Sequence, residues 1–241
     1  MKEQSYIAWR DEKIAELLSR SSYDFQDLCD IVTILRGEGG CPWDIEQDHH
    51  SIRKGMIEEC YEVVEAIDRD DTALLREELG DVLLQIVFHS DMEKDAGNFN
   101  ITDVANDECV KMIHRHPHVF GQVKADTSEQ VLANWEVIKT EEKQRVSLSD
   151  QLQAIPSILP ALMRAQKVGK KMNVDADLSD TALLETTIED LQKLSEHEDP
   201  TEQKQIIGEA LFRITTLCRR MGLEAEEALT ASTEEKIKSV E

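Results

Sequence analysis

The sequence predicts an all-α protein, and three observations carry the prediction. Its 241 residues include only 5 prolines and 10 glycines, while charged residues reach 32%, a balance that favours helix. Apolar residues recur at helical spacing, as in the stripe of Leu28, Ile31, Val32 and Leu35. No segment alternates polar and apolar residues as a half-buried strand would.

The elements follow in order along the chain. "SYIAWRDEKIAELLSR" reads as an amphipathic helix that "SSYDF" interrupts. "DFQDLCDIVTILRGEGG" is a second helix ending at glycines. "CPWDIEQ" reads as a turn, with Asp44 as the N-cap and Gln47 as its reciprocal partner, opening a helix over about 45–69. "DRDD" is a short connection to a helix over about 72–94. "AGNFN" is a loop before a helix over about 102–115, which "HPHVFGQ" stops, and a further helix covers about 128–143. "SLSDQLQAIPSILP", with two prolines, reads as a connector, followed by helices over about 161–172, 181–196, 202–221 and 224–235.

The formal charge of −23 argues against nucleic acid polymers and anionic membranes as partners. A phosphate ligand then requires a metal ion or a local basic cluster. The five cysteines are scattered, with no Cys-x-x-Cys pair, which fits a reducing cytoplasm rather than a disulfide framework or a zinc site. The first residues lack the apolar core of a signal peptide, and "VLLQIVF" is far too short to span a membrane.

The two halves read as divergent copies. Aligning Gly80 with Gly208 places Asp81 on Glu209, Glu62 on Asp190, Glu59 on Thr187 and Glu78 on Ile206, without a gap. The expected organisation is an N-terminal helical extension (1–23), a first helical domain (24–145), a linker (146–160) and a degenerate second helical domain (161–241).

Carboxylates carry the chemistry. Glu59 and Glu62 are i, i+3 neighbours on one helix, and Glu78 and Asp81 repeat that spacing on the next. Met56, Ile57, Cys60, Val63, Val64 and Ile67 fill a broad apolar side of the first helix. The second is apolar on nearly every side, which predicts a central place in a bundle. Gly80, at a cost of about 1 kcal/mol against Ala, suggests a close approach there. A short connection makes the two helices antiparallel, so the four acids converge. At about 5 Å and an effective dielectric near 20, each like-charge pair costs roughly 3 kcal/mol. Such acids protonate, splay into water or bind cations, and an all-oxygen set suits Mg²⁺ or Mn²⁺. A di-iron bundle would need Glu-x-x-His, and Glu62 and Asp81 stand where those histidines would fall. A solvated acidic face is the plain alternative, strongest for Glu58 and Glu65.

Glu59-x-x-Glu62 followed by Glu78-x-x-Asp81 resembles the signature of the all-α nucleoside triphosphate pyrophosphohydrolases. "RGEGGCPWDIEQ", "HRHPHVFG", "NWEVIKTEEK" and "PALMRAQK" sharpen the likeness to the MazG type over about 24–171. The resemblance implies an all-α fold built from MazG-like helical repeats, a homodimer, and Mg²⁺-dependent cleavage of a nucleoside triphosphate to monophosphate and pyrophosphate. It implies that Glu59, Glu62, Glu78 and Asp81 are metal ligands, and that Lys111, Arg115, Trp135 and Lys139 bind the nucleotide or its phosphates. Trp43 is a further candidate for base or ribose contact, with a role in its turn as the alternative. Glu58, beside a ligand, is the candidate general base. His114 stands where the family usually has Arg, and "IEQDHHSIRKG" departs from the family's pattern. Thr187 and Ile206 replace two ligands in the second copy, which therefore reads as catalytically dead. The competing reading is a non-catalytic nucleotide-binding or interaction protein.

Overall fold

Capping side chains cut the chain into its helices. The computed structural model describes residues 3–142 and 147–240; the helix end expected at Lys143 and the boundary expected at 145/146 lie outside the described residues. Among the described residues every regular element is helical. The chain divides into two units, Met1–Ala125 and Asp126–Glu241.

The first unit holds α1 (Glu3–Leu18), α2 (Phe25–Arg36), α3 (Pro42–Glu46), α4 (His49–Asp68), α5 (Thr72–Ala96), α6 (Ile101–Arg115) and the single turn α7 (Pro117–Phe120). Asp24, Asp48 and Asn100 each begin a helix with a reciprocal capping box, and Asp71 caps α5. Gly97 ends α5 in the left-handed conformation, φ 76°, which glycine adopts without strain.

The helix expected over 45–69 is two helices. Asp48 accepts from the amides of His50 and Ser51, while Ser51 Oγ accepts from the Asp48 amide at 2.9 Å. This box starts α4, and Asp44 lies buried inside α3 rather than capping anything. Gln47 instead donates to the Trp43 carbonyl at 2.7 Å.

α4 and α5 form an antiparallel pair, and α2 packs along α5. Cys29 and Val32 of α2, Ile52 of α4, and Val87, Phe88 and Met92 of α5 make the core. Above it, Asp91 is buried and accepts from Thr33 Oγ1 at 2.7 Å and Arg36 Nε at 3.1 Å, which ties α2 to α5 by charge. The expectation that α5 is wrapped on nearly every side does not hold within the chain. Leu79 is 51% exposed and Leu83 36%. On α4, Ile57, Tyr61, Val64 and Ile67 are exposed as well. A Cβ at Gly80 would meet nothing within 4 Å, so no close approach within the chain accounts for that glycine.

The second unit holds α8 (Ser128–Glu142), α9 (Leu148–Gln153), α10 (Ala161–Met172), α11 (Asp180–Gln192) with a 3-10 turn (Lys193–Glu196), α12 (Pro200–Arg220) and α13 (Ala225–Lys238). α12 packs against α10 and α11 around Leu183, Ala210, Thr215 and Thr216. Gln166 of α10 is buried and satisfied at both ends of its amide: Nε2 donates to the Leu223 carbonyl at 2.9 Å, and Oε1 accepts from the Ala225 amide at 2.8 Å.

Candidate metal centre

Two i, i+3 acid pairs on antiparallel helices face each other across the α4–α5 seam. Ligand oxygens of Glu59, Glu78 and Asp81 all lie within 4.8 Å of one another. Glu62, one turn along α4 from Glu59, is close enough to act electrostatically on both Glu59 and Glu78. Glu78 is only 9% exposed, so its charge is largely withdrawn from water. Burial, then the neighbouring charges of Glu62 and Asp81, push its carboxyl above the usual glutamate range. Glu59 moves the same way, through burial and then the adjoining carboxyl of Glu62.

Gly55 and Gln85 set the spacing of the seam. A Cβ on Gly55 would come within 3.0 Å of Gln85 Nε2. Gln85 Oε1 is buried with no hydrogen-bond partner, one helical turn from Asp81. A buried, partnerless oxygen costs stability unless something donates to it. Water carried by a hydrated cation beside the acids would supply that donor. Three or four clustered carboxylates and no nitrogen or sulfur donor fit a hard divalent cation.

The other predicted residues fall as follows. Glu58 is ion-paired to Lys54 at 2.7 Å, and its side chain is 53% exposed. Lys111, on α6, pairs with Glu108 of its own helix. Arg115 is buried at the end of α6. Trp43 stands on α3 with 64% of its surface exposed. Trp135 and Lys139 belong to the second unit, where the lysine ammonium lies 4.5 Å from the indole centroid.

One constellation was not read from the sequence. His49 at the start of α4 bonds His89 of α5 through their Nδ1 atoms at 2.7 Å, and its Nε2 bonds Glu93 at 2.6 Å. Asn98 donates to the other oxygen of Glu93 at 2.6 Å. The signal was faint, since a polar residue every four positions on α5 (Gln85, His89, Glu93) resembles a solvated stripe.

In the second unit, the register fixed by Gly80 and Gly208 gives a different outcome. Asp71 and Asp199, aligned in that register, each cap the N-terminus of their helix. Thr187, aligned with Glu59, is buried and donates to the Leu183 carbonyl at 2.7 Å. Asp190, aligned with Glu62, is held by Arg213 at 2.5 Å and by Lys193 at 3.0 Å.

The fold and site define a helical protein with a carboxylate cluster fit for a divalent cation, and comparison with known proteins agrees. Residues 47–120 match the MazG nucleotide pyrophosphohydrolase domain, a stretch that contains the whole cluster. The chain is 39% identical over 211 residues to the nucleoside triphosphate pyrophosphohydrolase/pyrophosphatase MazG of Thermotoga maritima, covering 87% of this chain and 81% of that one. It is 39% identical over 204 residues to the nucleoside triphosphate pyrophosphohydrolase of Escherichia coli K12, covering 82% and 78%. It is also 43% identical over 218 residues to the uncharacterized protein YabN of Bacillus subtilis, where it spans 88% of this chain but only 44% of that longer protein. The chain belongs to the MazG nucleotide pyrophosphohydrolase family.

Proposed function

We propose that this chain is a divalent-metal-dependent nucleoside triphosphate pyrophosphohydrolase, converting an NTP and water to the monophosphate and pyrophosphate. The observation that carries the reading is the convergence of Glu59, Glu78 and Asp81 within 4.8 Å, joined by Glu62, in the stretch that matches the family. Mg²⁺ is the cation we assign to these four residues, with Mn²⁺ as a competent substitute. Bound there, it would neutralise phosphate oxygens and acidify a water.

The chain's own groups supply the rest. The four carboxylates would hold the cation between α4 and α5. Lys111 and Arg115, one helical turn apart on α6, are assigned to the polyphosphate, where positive charge stabilises the departing pyrophosphate. Trp135 and Lys139 are assigned to the nucleotide, and Trp43 to its base or ribose. Glu58 is assigned as the base that takes a proton from the attacking water.

We further propose a homodimer formed through the uncovered apolar face of α4 and α5. Ile57, Tyr61, Val64 and Leu79 are each about half exposed, and the open space above Gly80 leaves room for a partner's side chains. The second unit we read as a divergent, non-catalytic copy whose Asp190 is already neutralised by Arg213 and Lys193. Removal of non-standard or surplus nucleotides, in the cytoplasm, is the role this activity suits; no described helix is long and apolar enough to cross a membrane.

The test is product identification by phosphorus NMR after incubation with a panel of NTPs and Mg²⁺. Pyrophosphate and monophosphate are expected. Orthophosphate with a diphosphate, or nucleotide binding with no turnover under any divalent metal, would sink the reading.

A further inference from the structure

A cavity of about 440 Å³ opens within the second unit. Among the described residues, four lysines line it, Lys139 from α8 and Lys167, Lys170 and Lys171 from α10, against a single carboxylate, Glu136. This local excess of positive charge stands out in a chain of formal charge −23. Gln166 and Gly169 bury one side of α10 against α12 and α13, while Lys167 and Lys171, four positions apart, share a different face of the helix, and Lys170 reaches the cavity from its rim.

Lysines in a last helical turn have a plain explanation, since they complement the helix dipole and are solvated. Two observations exceed it. Lys139 and Lys171 are held half-buried, at 30% and 34% side-chain exposure, around a hollow whose floor includes Ile155 and Leu159. Glu136 reaches between them, 3.7 Å from Lys139 and 3.4 Å from Lys171, and so bridges α8 to α10. Burial raises its carboxyl, yet the ammoniums of Lys139, Lys171 and Lys170 hold it below the usual glutamate range. Lys167 and Lys170 pair with no carboxylate among the described residues. The internal anion therefore neutralises only part of the pocket.

We propose that this pocket binds an oligophosphate, and that Glu136 competes with it for the same lysines. An anion with several charged oxygens can meet converging point charges that one carboxylate cannot. The overall acidity of the chain would repel such a ligand anywhere else without a metal. The inference rests on the functional reading above only through Lys139, since it adds α10 and Glu136 to the phosphate-binding groups. Its ligand chemistry is shared by a substrate's triphosphate and by free pyrophosphate.

The experiment titrates the full chain with sodium tripolyphosphate in EDTA by calorimetry, so that the carboxylate cluster takes no part. A saturable isotherm at physiological salt is expected. Lys167→Ala/Lys170→Ala should weaken it by about tenfold or more, and Glu136→Gln should tighten it several-fold. The gain in Glu136→Gln cannot come from misfolding. No saturable heat in the wild type, or unchanged affinity in both variants, overturns the proposal. Kinetics then separate the two sources. A raised KM for NTP at constant kcat in the double lysine variant assigns the pocket to the substrate's triphosphate. An unchanged KM with tripolyphosphate binding lost assigns it to a free oligophosphate. The EDTA titration stands whether or not the chain turns over NTPs.

Discussion

Gly55 of α4 lies so close to Gln85 of α5 that a Cβ on the glycine would sit 3.0 Å from the amide nitrogen. One turn on along α4 and one turn back along α5 stand Glu59 and Asp81, whose oxygens lie within 4.8 Å of each other. The glycine therefore sets the seam on which the acids meet. In the register that aligns the two halves, Leu183 takes the place of Gly55 and is wholly buried.

Gly55→Leu should wedge the helices apart. Overpacking of this kind costs about 1–3 kcal/mol, and the separation should weaken Mn²⁺ binding followed by electron paramagnetic resonance. Gly55→Ala should be tolerated, since a small shift of the Gln85 amide is offset by about 1 kcal/mol of helix propensity. Equal metal affinity in the leucine variant and the wild type would separate the glycine from the site.

The clustered acids should cost the metal-free protein stability. Glu59 and Glu78 have folded-state pKa values raised above their unfolded values, so their contribution is fully present in acid and is lost as pH rises through the raised values. At neutral pH in EDTA, Glu78→Gln should therefore melt higher than wild type. Mg²⁺ should raise the melting temperature of wild type and leave Glu78→Gln nearly unmoved. A variant that melts lower in EDTA would mean that the acids do not strain the fold.

Those acid pairs were legible in the sequence because i, i+3 spacing places side chains on one face whatever surrounds them. Helix ends were legible where the capping chemistry is unambiguous. The helix expected over 161–172 is α10, bounded by Pro160 and by Asn173 in the left-handed conformation. Asp44 and Asp48 both offer a cap, and only the reciprocal bond from Ser51 decides for Asp48. Gly80 and Gly55 read alike as glycines inside helices, and only tertiary contact distinguishes the open one from the crowded one. The pairing of His49 with His89 spans 40 positions and leaves no periodic trace.

That histidine pair gives a pH dependence. Burial and then the charge of His49 hold His89 below the ordinary histidine range. The unfolded chain then binds more protons in mild acid, so stability present above the unfolded value is lost as pH falls through the folded one. Thermal melts at pH 7.5 and 5.5 should show this loss, and His89→Asn should reduce the difference. An unchanged difference would exclude the pair as its source.

The exposed face of α4 and α5 predicts an assembly. Light scattering should give about twice the chain mass of 27.4 kDa for wild type. Leu79→Glu combined with Ile57→Glu should give the single-chain mass, because a buried unpaired charge opposes association. A wild type of single-chain mass at micromolar concentration would contradict the dimer.

The most direct test compares pyrophosphate release from an NTP by wild type and by Glu62→Ala under saturating Mg²⁺, with circular dichroism confirming equal helix content. The account predicts pyrophosphate from wild type and a loss of about a hundredfold or more in the variant, at or above the roughly 10–100-fold cost of losing an outer-shell partner of a metal site. Undiminished pyrophosphate release by Glu62→Ala would contradict it.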